Sequence, residues 1–475
     1  MRVAFISSEI APFSKTGGLG DVSFSLPVNL KKNGINIISI TPLYKTIDLQ
    51  KYNIKRTELE SSIFFDGKWE KIEIFYTEIK NLMIYFVKND RFFNVEKFYE
   101  GESGLRFSFF CYACLELLKK LQFKPDIIHI NDWQTGILPV LLKINYANEQ
   151  FFYGTKVVLT IHNLAYQGYF PKEILYKINL PDYLFNIDML EFYGQVNFLK
   201  AGIVFSDFIT TVSPTYAKEI LTPEAGWGLE GVLLKKKDKI KGILNGIDEE
   251  IWNPELDKFI YKNYNSNTLD LKVYNKLFLQ RKLNFKEDKD IILYGFVGRL
   301  TYQKGFEFLV NLIPYLANFK TQLVILGTGE KYYENMIIKV SEKFKEKISL
   351  NLMFDEEFAH QIYSGIDFFL MPSVYEPCGL SQMISLKYGS IPIARKVGGL
   401  NDSIIDITEK NDKPTGILFK ELDLKEFFSA TVKSFKLFYD RKDFLKQMQI
   451  KGMNSDFSWN KSCKEYINLY KSLLA

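Results

Sequence analysis

DIILYGFVGRLTYQKG (residues 290–305) joins a continuous apolar run to Gly298, Arg299, Lys304 and Gly305. An apolar run of this length, closed by turn and charged residues, reads as a strand buried on both faces. Phe296-Val297-Gly298-Arg299 ends the strand, and Leu300 to Gly305 leads into the next helix. The same rhythm continues in TQLVILG (321–327), ISLNLMF (348–354), DFFLMPS (367–373) and IPIAR (391–395). It also runs earlier, in RVAFISS (2–8), INIISI (35–40), DIIHI (126–130), KVVLTI (156–161) and DFITTV (207–212), with helical patterns such as 107–121 and 134–147 between. Strand–helix alternation predicts βαβ units and doubly wound parallel sheets, an α/β fold class. A less regular span separates the two series, from KKKDKIKG (235–242) through ILNGIDEEIWNP (243–254) to about residue 288. The expectation is two Rossmann-like domains, 1–242 and 255–455, facing each other across a deep cleft, with a hinge at 243–254 and a Ser-capped C-terminal helix in 456–475. Ligands of open α/β sheets bind at the carboxyl ends of strands.

Length and composition agree with this plan. At about 100–200 residues per domain, 475 residues suffice for two or three cores. A net charge of +5 over that length gives no reason to expect nucleic acid or a membrane as partner. The start, MRVAFISS, has no leader pattern, and no run approaches the roughly 18–20 apolar residues of a span, so a cytoplasmic protein is expected. Cys111-Tyr-Ala-Cys114 has the CxxC shape but sits in an apolar helical pattern with no second pair to complete a zinc site. With Cys378 and Cys463, the usage fits a reducing compartment.

Chemistry concentrates in three loops. FSKTGGLGDV (13–22) comes close to a dinucleotide fingerprint, but Glu9 to Thr16 stand between the first strand and the glycines, which is the wrong spacing. Nor is it a Walker A loop, since Lys15 precedes the glycines. A helix led by Asp21, with Pro27 as its expected kink, follows; the residues alone leave open a capped surface loop or an anion contact. In the second series, Arg299 and Lys304 put two cations on one strand–helix loop, a natural diphosphate site, since charge-assisted contacts contribute roughly 1.5–3 kcal/mol each. Val374-Tyr375-Glu376-Pro377-Cys378-Gly379-Leu380-Ser381 then forms a loop into a helix beginning near Gly379. A carboxylate beside a diphosphate needs another task, and Glu376 suits sugar hydroxyls. Cys378, without a neighbouring His, reads as a lining residue. Asp288-Lys289-Asp290 matches a DxD metal motif by letters and reads as a solvated turn. His129, between isoleucines in a strand, and His360, within a helical pattern, read as structural or supporting.

Nine motifs in order then resemble one family, the bacterial and plant glycogen or starch synthases, retaining glucosyltransferases of GT-B architecture. They are KTGGLGDV (15–22), NDWQTG (131–136), TIHNLAYQG (160–168), NFLKAGI (197–203), GLEGVL (228–233), ILNGID (243–248), VGRLTYQKG (297–305), YEPCGLSQM (375–383) and VGGLNDSI (397–404). The resemblance implies transfer of glucose from ADP-glucose to the 4-OH of an α-1,4-glucan such as glycogen, with no cofactor and no metal. It implies that Lys15 and the Gly18 amide, with Asp21 beside them, meet the diphosphate, and that Arg299 and Lys304 stabilise departing ADP. Glu376 would bind glucose hydroxyls, beside the amides of Cys378, Gly379 and Leu380; Ser381 would contact phosphate and Phe354 the adenine. Asp132, His162 and Asn163 would surround the transferred glucose, with Asn245 near the same pocket, and the resemblance implies that the C-terminal helix in 456–475 returns to pack on the first domain. Asn131 and Gln134 depart from the His-Asp-Trp-His of some members. Position 384, where many other retaining GT-B enzymes carry a second glutamate, is Ile, so Glu376 is not half of a pair. Retention is expected by front-face attack, the leaving phosphate taking the acceptor's proton. A glucan phosphorylase, whose pyridoxal phosphate motif is absent, a nucleotide-sugar epimerase, and a non-catalytic glucan-binding relative are the rival readings; the last expects loss of Arg299, Lys304 or Glu376, all of which are present.

Overall fold

The computed structural model describes residues 1–409 and 413–475. Two compact units divide the chain: residues 1–212, 217–243 and 459–475 in the first, and 213–216 with 244–458 in the second. Residues 244–254, read from the sequence as a hinge, therefore group with the second unit. So does Ser213–Tyr216, where the Thr215 N–H and hydroxyl both donate to the Asp402 carboxylate (2.7 and 2.6 Å).

The first unit contains twelve named strands: β1 (Arg2–Ile6), β2 (Asn36–Pro42), β3 (Lys55–Phe65), β4 (Lys68–Ile79), β5 (Leu82–Lys88), β6 (Ile127–Asn131), β7 (Lys156–Ile161), β8 (Tyr169–Phe170), β9 (Glu191–Phe192), β10 (Gln195–Asn197), β11 (Phe208–Thr211) and β12 (Ile240–Gly242). The main sheet runs β12-β11-β7-β6-β1-β2-β5-β4-β3, and β8-β10-β9 form a small second sheet. Pairing is parallel from β12 to β5, with Phe5 opposite Ser39 on one side and His129 on the other. β1 beyond Arg2 and all of β6 are buried, as parallel strands covered on both faces must be. In the main sheet the β5–β4 and β4–β3 pairings are antiparallel, and the β3–β4 turn, Asp66-Gly67, has both residues at positive φ (49° and 77°). That is the hairpin turn Asp-Gly favours, matching the right-handed twist of the strands.

The helix Gly18–Lys32 runs unbroken through Pro27 and starts three residues before Asp21, which lies in its first turn. Within its first turn Gly20 packs closely on the preceding loop: a Cβ there would crowd the Ser14 carbonyl at 3.1 Å and the Lys15 Cβ at 3.2 Å. The last helix, Trp459–Leu474, belongs to the first unit: the Cys463 thiol donates to the Leu26 carbonyl, and Tyr470 bonds to His129 (2.5 Å).

The second unit is a six-stranded parallel sheet of β13 (Ile292–Val297), β14 (Thr321–Leu326), β15 (Ile348–Asn351), β16 (Phe368–Met371), β17 (Ile391–Arg395) and β18 (Ile417–Phe419), in the order β15-β14-β13-β16-β17-β18. Tyr294, Phe296, Phe306, Leu309, Ile325 and Phe368 anchor its core. In both units the strand order reverses beside the first strand, between β1 and β6 and between β13 and β16. Such a switch point leaves a crevice outside the strand ends where ligands bind. Among the described residues no helix is long and apolar enough to cross a membrane.

Candidate active site

At the first switch point, the chain leaving β1 runs through Ser7, Ser8 and Glu9 into the glycine loop. Glu9 is 1% exposed, and its carboxylate accepts from the Thr16 N–H, the Thr16 hydroxyl (2.6 Å) and the Tyr99 hydroxyl. A buried carboxylate is tolerated only when donors replace its water, so this group fixes the loop from seven residues away. Nothing in the pattern of the sequence singled out Glu9 or Tyr99. Lys15 lies on the surface and pairs with Asp21 (2.7 Å). A Cβ at Gly17 or Gly18 would meet nothing within 4 Å, so packing within the unit does not require glycine there.

On the other side of the same switch point, β6 ends in Asn131-Asp132. Asp132 has φ 53° and ψ −169°, a conformation almost confined to glycine and a known place for strain at functional sites. Two backbone bonds hold it: its own N–H donates to the Thr160 carbonyl (2.9 Å), and the His162 N–H donates to its Oδ1 (2.7 Å). Burial pushes its carboxyl up to about 7; the His162 and Asn163 N–H groups oppose this, and the Glu9 charge adds to it. His162 is held by burial at about 3 and is a neutral imidazole. Because Asn131 Nδ2 donates to the Ile6 carbonyl (2.9 Å), Asn131 turns its Oδ1 toward His162 and accepts from Nε2–H (2.9 Å). Nδ1 is then the acceptor nitrogen. Asn163 turns its Oδ1 to the Ala165 N–H (3.1 Å). His129, fully buried, bonds to Tyr470 and Thr160 (2.5 and 2.6 Å) and belongs to the sheet interior.

Motif glycines around this corner are required by packing. A Cβ at Gly136 would lie 2.1 Å from the Phe198 carbonyl, at Gly202 3.1 Å from the Gly136 Cα, and at Gly168 2.4 Å from the Trp133 ring. NDWQTG, LAYQG and NFLKAGI thus interlock behind Asp132.

At the second switch point, Arg299 is exposed, its guanidinium 3.3 Å from Gln303 Oε1. Lys304 ends a short turn, and Gly305 follows at φ +62°, where a Cβ would sit 1.8 Å from the Pro372 carbonyl. This glycine therefore presses the cation-bearing loop against the chain leaving β16. Lys304 Nζ donates to Glu376 Oε2 at 2.5 Å, and the Ser373 hydroxyl adds a bond at 3.1 Å. Glu376 is 4% exposed. A Cβ at Gly399 would reach 2.0 Å from the Cys378 carbonyl, and the Gly399 N–H donates to the Glu376 carbonyl (3.0 Å), so VGGLNDSI backs this loop. Burial pushes the Cys378 thiol up to about 12, partly offset by hydrogen bonds from Asn245, so it is no nucleophile. Asn245 is buried with its Oδ1 lacking a hydrogen-bond partner. Gly379 takes φ +71°, and the helix begins at Ser381, two residues later than its sequence suggested. Phe354 is 83% exposed. His360 is buried against Trp252 and bonded to Asp257 (2.6 Å), a supporting position. In the DxD segment, Asp288 accepts from the Asp290 N–H (2.8 Å) and pairs with Lys320 (2.9 Å), a salt-bridged turn. Among the described residues no three His, Cys, Asp or Glu side chains gather as a metal site.

Comparison with known proteins adds the following. Residues 2–235 match the family model described as starch synthase catalytic domain, and 292–436 that of glycosyl transferases group 1. The glycogen synthase of Thermotoga maritima is 45% identical over all of this chain and 99% of its own length; that of Geotalea daltonii is 43% identical over the same shares. Among solved structures, the catalytic domain of starch synthase IV from Arabidopsis thaliana, bound to ADP and acarbose, superposes with a TM-score of 0.94 at 34% identity, covering 100% of this chain and 99% of that one.

Proposed function

This chain belongs to the glycogen and starch synthase family of GT-B glycosyltransferases, and from that premise we propose that it transfers glucose from ADP-glucose to the non-reducing 4-OH of an α-1,4-glucan with retention of configuration, releasing ADP. The observation that carries the reading is the Lys304–Glu376 pair beside Arg299 at the β13/β16 switch point. Breaking a glucosyl–phosphate bond builds negative charge on the departing diphosphate. Fixed cations aimed there lower the barrier without reorganising at the moment of reaction. In this reading Arg299 and Lys304 supply that charge, so no metal ion is needed, with Ser381 and the amides of Cys378, Gly379 and Leu380 around the phosphates.

Glu376, already aligned by Lys304 and Ser373, accepts hydrogen bonds from glucose hydroxyls. Phe354 offers an open ring face to adenine. Lys15, oriented by Asp21, and the unobstructed Gly18 amide complete the diphosphate contacts. Asp132, neutral His162 and Asn163 surround the transferred glucose, where His162 accepts from a hydroxyl through Nδ1 and does not act as a base at neutral pH; Asn245 contributes its unpartnered amide oxygen. The acceptor's proton passes to the leaving phosphate as the new bond forms on the same face.

The test is glucose incorporation into glycogen from ADP-glucose and UDP-glucose side by side, with the anomeric configuration of the product read by NMR. No incorporation from either donor sinks the proposal, and a β-linked product sinks retention. Trapping a glucosyl adduct on a carboxylate would replace front-face attack by a double displacement.

A further inference from the structure

Four pairs of consecutive residues in the first unit lie at positive φ: Asp66-Gly67, Lys80-Asn81, Tyr193-Gly194 and Trp227-Gly228. Asp-Gly is what such a turn favours, because both residues must enter the left-handed region. Tyrosine at φ +49° and tryptophan at φ +51° are outliers there, since a bulky side chain is strained in that conformation. Both rings are exposed, Tyr193 by 85% and Trp227 by 46%. Both also border one recess, whose lining is completed by Tyr169, Phe192, Gln195 and Gly228.

The recess is built to stay open. Tyr169 stacks on Phe192 (centroids 5.9 Å apart, 20° between planes), and Tyr193 meets Phe192 edge-on at 4.6 Å. Lys200, nearly buried, ties down the β9 side through the carbonyls of Ile187 and Glu191 (2.5 Å each). The Trp227 carbonyl is held by Gln167 Nε2 (3.1 Å), itself fixed by Asn197 (2.7 Å). A Cβ at Gly228 would come within 2.9 Å of Phe192, so glycine lets the two turns approach. No Asp, Glu, Lys, Arg or His lines the recess, on a chain that is 25% charged. β8 links it inward: Tyr169 faces the recess while its neighbour Phe170 packs on Trp133 (5.7 Å), the residue after Asp132.

We infer that Tyr169, Tyr193 and Trp227 form a stacking platform for an α-1,4-glucan chain. The chemistry singles out this ligand. Pyranose rings are neutral and present C–H faces that stack on aromatic rings, while their hydroxyls suit Gln195 and the tyrosine hydroxyls; a nucleotide or an acidic peptide would meet no cation. Continuity through β8 with the Asp132 corner places the platform where a glucan whose end is being extended would be gripped. The inference rests on the proposed function for its choice of ligand, and binding tests it separately from catalysis.

The strain supplies a test that a structural role would fail. Tyr193→Asn and Trp227→Asn put a residue tolerant of the left-handed region at each turn, so the double variant should melt at or above the parent temperature. Its affinity for glycogen, measured by affinity electrophoresis and with maltoheptaose by calorimetry, should fall about tenfold, the loss of roughly 1.4 kcal/mol of stacking. The Y193F/W227F pair keeps the ring faces and should stay within about twofold of the parent. Y176N, which removes an equally exposed tyrosine elsewhere on the unit, should bind glycogen as the parent does. Unchanged glycogen affinity in the Asn pair overturns the platform, including the case where its only effect is on self-association or on the ADP-glucose KM. Equal loss in the Asn and Phe pairs also overturns it. A parent that binds glycogen but transfers no glucose sinks the proposed function and leaves the platform standing.

Discussion

The two switch points share a topology, and each holds a buried glutamate, Glu9 or Glu376, but they satisfy it in opposite ways. At β1/β6, Glu9 is held by uncharged donors on Thr16 and Tyr99, and the nearby cation, Lys15, stands on the surface against Asp21. At β13/β16, Glu376 is held by a cation, Lys304, at 2.5 Å. The first arrangement leaves net negative charge inside the corner, which contributes to the raised carboxyl of Asp132. The second stores a cation where the proposed leaving group departs. One corner is a shaped loop, the other a charged anvil, and each comes apart in its own way.

The largest effect should come from Lys304→Ala. It removes leaving-group charge, so kcat for glucose transfer should fall roughly 10²–10³-fold, with glycogen affinity kept. It also strands the carboxylate of Glu376, and breaking a buried pair from one side costs about 3–5 kcal/mol, so the melting temperature should drop. Glu376→Gln should destabilise less, because the Lys304 side chain is 20% exposed against 6% for the Glu376 side chain and water can solvate it. Turnover of K304A within about twofold of the parent would remove Lys304 from the leaving-group role.

Glu9→Gln is the matching break at the other corner. An amide cannot accept all three donors, and hydrogen bonds to a charged group are worth roughly 1.5–3 kcal/mol. The loop carrying Lys15 and Gly18 should loosen, raising the ADP-glucose KM about tenfold with kcat changed less. Thr16→Val should do part of this and Thr16→Ser almost none, since serine restores the hydroxyl bond. A donor KM unchanged in E9Q would detach the loop from donor binding.

A smaller effect lies in the pH dependence of stability. Asp132, raised from its ordinary 3.8 to about 7, holds a proton in the folded chain that the unfolded chain has lost, so its contribution falls as pH rises from about 4 to 7. His129 and His162, lowered from 6.5 to about 3, do the reverse: the unfolded chain binds their protons first, so stability rises with pH over about 3 to 6.5. The opposing slopes overlap. Asp132→Asn removes the falling one, and its melting temperature relative to the parent should climb steadily between pH 4.5 and about 7. A difference that is flat across that range would place the Asp132 carboxyl back near its ordinary value.

The ten strands read from apolar runs all lie within a few residues of their observed bounds; KVVLTI and IPIAR coincide with β7 and β17. Buried parallel strands announce themselves by composition alone. The β3–β4 hairpin escaped that reading because one of its faces is solvated and Lys, Glu and Arg interrupt it; Asp66-Gly67 was the signal that would have found it. Loops with charged or glycine-rich spelling made the candidates Arg299, Lys304 and Glu376 readable, and the structure brings Lys304 and Glu376 together at the β13/β16 switch point. Glu9 was not readable, because a carboxylate whose partners lie 7 and 90 residues away leaves no local pattern. Gly136, Gly168 and Gly305 are glycine because backbone or a ring presses on them, contacts with residues far along the chain that no local pattern displays.

The smallest predicted effect separates a motif by letters from a motif by geometry. Asp288 and Asp290 would need free oxygens converging on one point to hold a cation. Instead Asp288 Oδ1 accepts the Asp290 N–H and Oδ2 faces Lys320, while Asp290 Oδ1 lies 3.9 Å from Lys442. Exposed pairs of this kind contribute about 0–1 kcal/mol. The D288N/D290N double variant should therefore lose no more than a few degrees of melting temperature, with the ADP-glucose KM and kcat of the parent, and added EDTA should leave both proteins' rates where they were. A rate lost on chelation and restored by Mg²⁺ or Mn²⁺ in the parent but not in the variant would give that turn a catalytic role and divide the leaving-group charge assigned to Arg299 and Lys304.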